Sequence, residues 1–333
     1  MSQRPVVILG NGVIRQNATS EILTLIENLQ APVIHSFMAK GVLPKNHPLN
    51  YFTFGFKKRD EAVSVIEQSD LIIAIGFDFI ESPPKDWNKK MHPILHIDTM
   101  PAEMDEHYPV KGELVGDLKE IVQTLNQLNM PSKQWVPAGD LKKQIMSAYQ
   151  MDLDLKENVT LTIENILAVI EKYTTENTIV ISDVGAHKLT IRRTYQPKPA
   201  GRLRISKRFA SLGIALPGSM GAKLACQGDP VICITGDGGA LMNTSEIETA
   251  KRLGLSFIII VLNDSTLKLE KQMMQEKFGK SFGTAFGNPD FVQLAESFGI
   301  IGVRPNDLNE FELILQKALL QTNDITLIDI QTG

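Results

Sequence analysis

The sequence predicts an α/β protein of two doubly wound domains with mainly parallel sheets, and three observations carry that expectation. Short apolar runs end abruptly in glycine, aspartate or asparagine, as strands buried on both faces do where they open into a loop. Val231-Ile232-Cys233-Ile234-Thr235 runs into Gly236-Asp237-Gly238-Gly239, and Phe257-Ile258-Ile259-Ile260-Val261-Leu262 runs into Asn263-Asp264. Between such runs apolar residues recur at helical spacing, as over 242–253, so that strand, helix and strand form a crossover returning to the same sheet edge. At 333 residues the chain exceeds what one core usually serves, and two domains of roughly 150 residues follow.

Along the first half, strand and helix alternate. Val6-Val7-Ile8-Leu9 is an unbroken apolar run and reads as a buried first strand. A helical pattern over 18–29 comes next, then a strand over 33–37, a helix over 60–68, and strands over 71–75 and 94–98. Residues 111–128 add Val115-Gly116-Asp117 and a terminal helix, closing a doubly wound domain. Met130-Pro131-Ser132-Lys133 and Pro137-Ala138-Gly139 break the pattern and mark a linker, because proline and glycine punctuate regular structure. The expected organisation is a first domain over 1–130, a linker over 131–155 and a second domain over 156–333. In the second domain strands are expected over 179–182, 231–235, 257–262 and 326–330, with no short-period repeat and no low-complexity run.

Apolar content of 43% and charged content of 22% are those of a globular protein. A net charge of -4, without a basic stripe interleaved with aromatics, argues against a nucleic-acid surface. Arg192-Arg193, Arg202, Arg204 and Lys207-Arg208 form a local basic cluster that reads as a solvated loop rather than an anion site. Cys226 and Cys233 lack metal-ligand spacing and read as small core residues in a reducing compartment. The chain runs from Met1 straight into its first strand and holds no apolar stretch of membrane-spanning length, so the expectation is a cytoplasmic protein without signal peptide or membrane helix.

The paired strand ends carry the chemistry. A crossover unit brings Asp237 beside Asn263-Asp264, at the sheet edge where doubly wound folds bind ligands. Magnesium takes oxygen ligands, commonly one or two carboxylates plus phosphate oxygens, so Asp237 and Asp264 suit a diphosphate held through a divalent cation. Gly238 and Gly239 leave the backbone open to phosphate at the start of the next helix. A lone Gly-Asp-Gly would say little, since both residue types are ordinary in turns; two such strand ends side by side are specific.

Gly236-Asp237-Gly238 with Asn263-Asp264 resembles the thiamine diphosphate motif, and the surrounding sequence resembles the acetolactate synthase branch of the thiamine diphosphate enzymes. Matching stretches include Ser182-Asp183-Val184-Gly185-Ala186-His187, Phe209-Ala210-Ser211-Leu212-Gly213-Ile214-Ala215-Leu216-Pro217 and Gly287-Asn288-Pro289-Asp290-Phe291. Gly10-Asn11-Gly12-Val13-Ile14-Arg15 and His96-Ile97-Asp98 also match, so the similarity covers nearly the whole chain. It implies that 1–130 is the family's central domain, of a fold related to NAD- and FAD-binding domains, and that 156–333 is its thiamine diphosphate domain. It also implies thiamine diphosphate and Mg2+ as cofactors, a 2-oxo acid as substrate, and decarboxylation and carboligation as the reaction. Family members carry a further, amino-terminal pyrimidine-binding domain with the glutamate that activates the cofactor. Because this chain begins directly at the central domain, activity is expected to need that domain from another polypeptide, in a homo-oligomer or with a partner chain. Apolar residues near Phe209, Leu267 and Met273 are then expected to be left uncovered.

Residue by residue, the resemblance implies that His187 contacts the diphosphate and that Leu212 supports the bent cofactor. Ala210 and Leu212, with Ser211 between them, offer backbone groups to its pyrimidine edge. Gly236, Gly238, Gly239 and Asn263 complete the cofactor-binding set, and Asp237, Asp264 and the backbone carbonyl of Thr266 are the implied metal ligands. Plainer readings stand beside these: His187 as a capping histidine, and residues 210–215 as the small-residue start of a buried helix. His35, His47, His92, His96 and His107 have no cluster spacing and read as structural. Two positions depart from the synthase pattern. Glu270, on a helix opening at Ser265-Thr266, matches the glutamate of pyruvate decarboxylase-like members and is the candidate catalytic residue; its alternative is a solvated helix charge. Lys207-Arg208 stand where synthases carry small residues, and either crowd the pocket or face solvent. Gly10-Asn11-Gly12 matches only part of a dinucleotide fingerprint, so FAD is left unassigned. The rival functions are a pyruvate decarboxylase-like lyase, a non-catalytic relative acting as a binding or regulatory module, and a nucleotide- or flavin-binding module unrelated to thiamine.

Overall fold

The computed structural model describes residues 2–56, 60–128, 130–151, 153, 160–206 and 209–332. They divide into two compact units, Met1–Gln150 with Gln196–Gly201, and Met151–Tyr195 with Arg202–Gly333.

The first unit contains β1 (Pro5–Leu9), α1 (Gly12–Arg15), α2 (Thr19–Leu29), β2 (Val33–His35), β3 (Asn50–Thr53), α3 (Val63–Gln68), β4 (Leu71–Ile75), α4 (Pro84–Trp87), β5 (Ile94–Asp98), β6 (Val110–Val115), α5 (Leu118–Gln127) and α6 (Leu141–Ala148). Its described strands pair in parallel in the order β3-β2-β1-β4-β5-β6. Every residue of β1 is buried, which is why the strand reads as an unbroken apolar run instead of alternating. Helix α2 turns Ile22, Leu25, Ile26 and Leu29 into one core with Val7, Leu9 and Val33 of the sheet. Burying side chains of this kind stabilises by roughly 1.5–3 kcal/mol each. Asp117 caps α5 by accepting the Glu120 N–H at 2.9 Å. The stretch that follows α5 is fastened to this unit: Trp135 Nε1 donates to the Pro5 carbonyl and the Lys133 N–H to the Leu29 carbonyl.

The second unit contains α7 (Ile163–Tyr173), β7 (Ile179–Ser182), α8 (Ala186–Arg193), β8 (Leu203–Ile205), α9 (Ala215–Ala225), β9 (Val231–Gly236), α10 (Asp237–Met242), α11 (Glu246–Arg252), β10 (Ile258–Asn263), α12 (Lys268–Phe278), α13 (Phe291–Ser297), β11 (Ile301–Val303), α14 (Leu308–Leu320) and β12 (Thr326–Gln331). Its described strands are also all parallel, in the order β11-β12-β10-β9-β7-β8. Cys233 lies in β9 within this core, and burial pushes its thiol up to about 12, so it is an inert packing residue.

Three helices differ from the sequence expectation, each for a local reason. The single helix expected over 242–253 is two, α10 and α11, interrupted at Asn243-Thr244-Ser245. Asn243 turns its side-chain amide to the Gly213 carbonyl at 2.7 Å, the competition with helical bonding that such residues offer. The helix expected to open at Ser265-Thr266 opens at Lys268, because Ser265 is left-handed at φ 55°. The buried helix expected from 210 starts at Ala215, since Ala210 is left-handed at φ 49°.

Candidate functional site

Doubly wound sheets open a crevice where the winding reverses. In the second unit the chain passes from β7 outward to β8 and returns to β9 on the other side, so the reversal lies between β7 and β9. A cavity of about 110 Å3 sits there. His187 reaches it from the first turn of α8, and Gly236, Asp237, Gly238 and Gly239 from the junction of β9 and α10. Asp264 and Thr266 come from the segment after β10, Glu270 from the first turn of α12, and Ala210 and Leu212 from the stretch ahead of α9.

Asp237 is nearly buried, and both carboxylate oxygens are held. Oδ2 accepts the Ser265 N–H at 2.6 Å, the Asn288 side-chain amide at 2.8 Å and the Asp264 N–H at 3.2 Å; Oδ1 accepts the Gly238 N–H at 2.7 Å. Asp264 accepts the Thr266 N–H at 3.2 Å through Oδ1, and its Oδ2 lies 3.5 Å from Lys268 Nζ. Glu270 is exposed at the cavity rim. His187 is buried; desolvation lowers its pKa to about 4 although its ring bonds the Asp183 backbone, so it is neutral at pH 7. Its Nε2 is buried with no partner among the described residues.

Two of the expected residues do not line this cavity. Ser211 is exposed. Asn263, the last residue of β10, is buried and turned sideways: its amide donates to Asp329 Oδ1 at 3.0 Å and its carbonyl accepts from Asn288 at 2.8 Å. Lys207 and Arg208 lie outside the described residues. The sequence reading assigned no role to Asp183 or Asn288, and took Lys268 only as support for a non-catalytic relative. Asp183 is wholly buried, its pKa raised by desolvation, and it accepts from Val184 N–H, Gly213 N–H and Thr235 Oγ1. It thereby fixes the 210–213 stretch against β9. Gly239 makes room for it, since a Cβ there would stand 2.5 Å from Asp183 Oδ2. Asp183 and Asn288 fall in stretches that carry the family resemblance, the one signal that could have pointed to them.

Two family models match the chain. The thiamine pyrophosphate enzyme central domain matches residues 1–125, and the thiamine pyrophosphate enzyme C-terminal TPP binding domain matches residues 183–330, which supply most of the cavity wall. The chain belongs to the thiamine pyrophosphate enzymes. Among its curated relatives, the acetolactate synthase of Bacillus subtilis (strain 168) is 29% identical over 321 residues, 95% of this chain and 56% of that protein. The probable acetolactate synthase large subunit of Methanococcus aeolicus is 32% identical over 338 residues, 93% of this chain and 55% of that protein. The acetolactate synthase large subunit of Buchnera aphidicola subsp. Schizaphis graminum is 30% identical over 344 residues, 99% and 59% of the two chains. The chain thus spans between half and two thirds of the length of these relatives.

For a thiamine pyrophosphate enzyme the residues around the cavity fit a diphosphate held through a cation. An orphaned buried nitrogen on His187 calls for a partner, because buried polar atoms are rarely left unpaired. A Cβ on Gly238 would stand 3.0 Å from Leu267 Cδ2, so a side chain there would crowd the wall. Among the described residues no three His, Cys, Asp or Glu side chains converge on one metal position. A cation here would therefore take its two carboxylates from Asp237 and Asp264 and complete its shell with backbone and phosphate oxygens. The volume is well below the ~300–1,000 Å3 of sites that enclose a whole ligand.

The same test fails for a flavin at the Gly10-Asn11-Gly12 loop of the first unit. Glu81 Oε1 already accepts the Asn11 N–H at 2.7 Å, and Ser36 Oγ donates to Oε2. A Cβ on Gly10 would stand 2.1 Å from the Gly76 carbonyl oxygen, so the loops after β1 and β4 touch where a pyrophosphate would need to enter.

Proposed function

We propose that this chain supplies the diphosphate-binding half of an acetolactate synthase-like site, working with thiamine diphosphate and Mg2+ on 2-oxo acids. One observation carries the reading: nine of the implied cofactor and metal residues, drawn from the segments that follow β7, β9 and β10 and the stretch ahead of α9, line one cavity at the reversal of the sheet. When bound, thiamine diphosphate supplies the electron sink that lets a 2-oxo acid lose carbon dioxide and join a second carbonyl compound. The chain's own part is to hold and orient. Asp237, Asp264 and the Thr266 carbonyl hold the cation, while His187 and the backbone at Gly236, Gly238 and Gly239 face the diphosphate. Leu212 and Ala210 line the same cavity and would support the cofactor's rings.

The rest of the envelope comes from a pyrimidine-binding surface that lies outside the residues lining this cavity. Two facts support this. The cavity is small, and large apolar side chains stand uncovered on segments at the same sheet edge: Phe209 is 93% exposed, Phe282 90% and Met273 63%. Leu267 is half-buried. A cytoplasmic setting belongs to the same reading, supported by free cysteines at Cys226 and Cys233. Among the described residues no helix is long and apolar enough to cross a membrane. A pyruvate decarboxylase-like outcome, in which a proton and not a second carbonyl compound ends the reaction, is favoured by Glu270, whose carboxyl stands at the cavity rim.

Calorimetric titration with thiamine diphosphate, with and without Mg2+, tests the site. Mg2+-dependent binding should occur and should vanish in Asp237→Ala and Asp264→Ala, with the fold retained. Tight binding that survives Asp237→Ala would refute the cation assignment.

A further inference from the structure

We propose that Asn288 and Arg304 are positioning residues for the Asp237 carboxylate, acting through a chain of hydrogen bonds that runs sideways through the sheet edge to Asp329. The proposal rests on the reading of Asp237 as a cation ligand. Neither residue lines the cavity.

Three donors converge on Asp237 Oδ2, and two of them are backbone N–H groups of the Asp264-Ser265 turn. The third is the Asn288 side-chain amide at 2.8 Å, which also donates to Asn263 Oδ1 at 2.8 Å and lies 3.3 Å from Ser265 Oγ. Asn263 passes the chain on, donating to Asp329 Oδ1 at 3.0 Å. Arg304 closes it, donating to Asp329 Oδ2 from Nε at 2.9 Å and from Nη2 at 2.7 Å. Neither amide is free to turn over. Each end of the chain is a carboxylate that only accepts, so Asn288 must present its NH2 to Asp237 and Asn263 must present its own to Asp329.

Arg304 fixes Asn288 by two routes. The Asp329 side chain is 0% exposed, and the guanidinium of Arg304, whose side chain is 39% exposed, is the charge that lets a carboxylate be buried there. Through Asp329 and Asn263 it orders the acceptor that Asn288 leans on. Its Nη2 also donates to Asp290 Oδ1 at 3.0 Å. Asp290 is the N-cap of α13, accepting from Val292 N–H and Gln293 N–H, so the turn that carries Asn288 is pinned to α13 and to the end of β11 at once. The consequence is local to Asp237: with Oδ2 held by three donors, Oδ1, which among the described residues takes only the adjacent Gly238 N–H, is the oxygen left to be aimed at a cation. Loosening Asn288 lets that carboxylate swing.

Mn2+ is a suitable probe, because the free ion gives a paramagnetic resonance signal that binding removes. The full chain, N288A, R304M and R304K are titrated with Mn2+ in the presence of thiamine diphosphate, and the unfolding of each is followed without metal. N288A should raise the Mn2+ dissociation constant about tenfold, the loss of one hydrogen bond to a charged group. R304M should raise it by a smaller factor, and R304K, which keeps the charge and one donor, should recover part of that loss. A purely structural role predicts lower unfolding midpoints with Mn2+ affinity unchanged while the variants are folded; that result in N288A and R304M overturns the proposal and leaves the cation site standing. Should N288A not fold, the comparison of R304M with R304K decides. If the unaltered chain leaves Mn2+ free, the cation reading falls, and the positioning proposal with it.

Discussion

Lys268 stands against the cation position that Asp264 is proposed to serve. Its ammonium is 3.5 Å from Asp264 Oδ2 and its side chain is 41% exposed, so the pair is a weak surface contact of the kind worth about 0–1 kcal/mol. A divalent cation has only to displace it. Lys268→Met should therefore tighten Mn2+ binding by up to about fivefold when no diphosphate is present. A Mn2+ titration reads this, and unchanged or weaker binding would show that Lys268 does not compete. Asp237, Gly238, Gly239 and Asp264 were legible because strand ends of a crossover unit share an edge, which follows from chain order alone, whereas Ala210, Leu212, Thr266 and the role of His187 were legible only through the family resemblance. Asn263 was legible as a neighbour and not as a sideways bond, because successive strand residues point to opposite faces and the partner, Asp329, comes 66 positions later.

Among the elements, the break between α10 and α11 matters most for the site. The Asn243 amide holds the Gly213 carbonyl at 2.7 Å, while Asp183 holds the Gly213 N–H at 3.0 Å, so the stretch carrying Ala210 and Leu212 is tied from both sides. Asn243→Ala removes one of these ties. The chain should lose about 1 kcal/mol of stability in urea unfolding, and affinity for thiamine diphosphate should fall severalfold. A variant that loses stability but binds as before would show that the tie supports folding alone. Helix α12 has no buried residue among those described, and its exposed Met273 and Phe278 make it the element whose packing the chain's described residues do not complete. The short edge strands β3, β8 and β11, of three or four residues each, had no readable pattern because strands of that length carry too few positions for a period.

For the molecule as a whole, acid should be the weak side. Burial lowers His35 to about 3 in the first unit and His187 to about 4 in the second. Both are neutral when folded, and in the unfolded chain they take up protons near pH 6.5. Their contribution is therefore fully present above about pH 6.5 and is lost as pH falls from there toward 4, on the order of 3 kcal/mol for each at the lower end. Urea unfolding at pH 7.5, 6 and 4.5 measures the slope. His35→Gln with His187→Gln should flatten it, and an unchanged slope would mean that these histidines are hydrated.

From its residues alone the chain determined its fold class and the edge on which its chemistry sits. Apolar runs that stop at glycine and aspartate report strands buried on both faces, and the crossover rule then decides which ends meet. Only the tertiary structure decided how those ends are held. The Asn288 and Arg304 chain to Asp329, the self-filled loop at Glu81 and the buried Asp183 each join residues remote in sequence, by bonds whose partners are selected by packing. Hydrophobic periodicity records which residues leave water; it carries no information on which polar group each buried polar group will find.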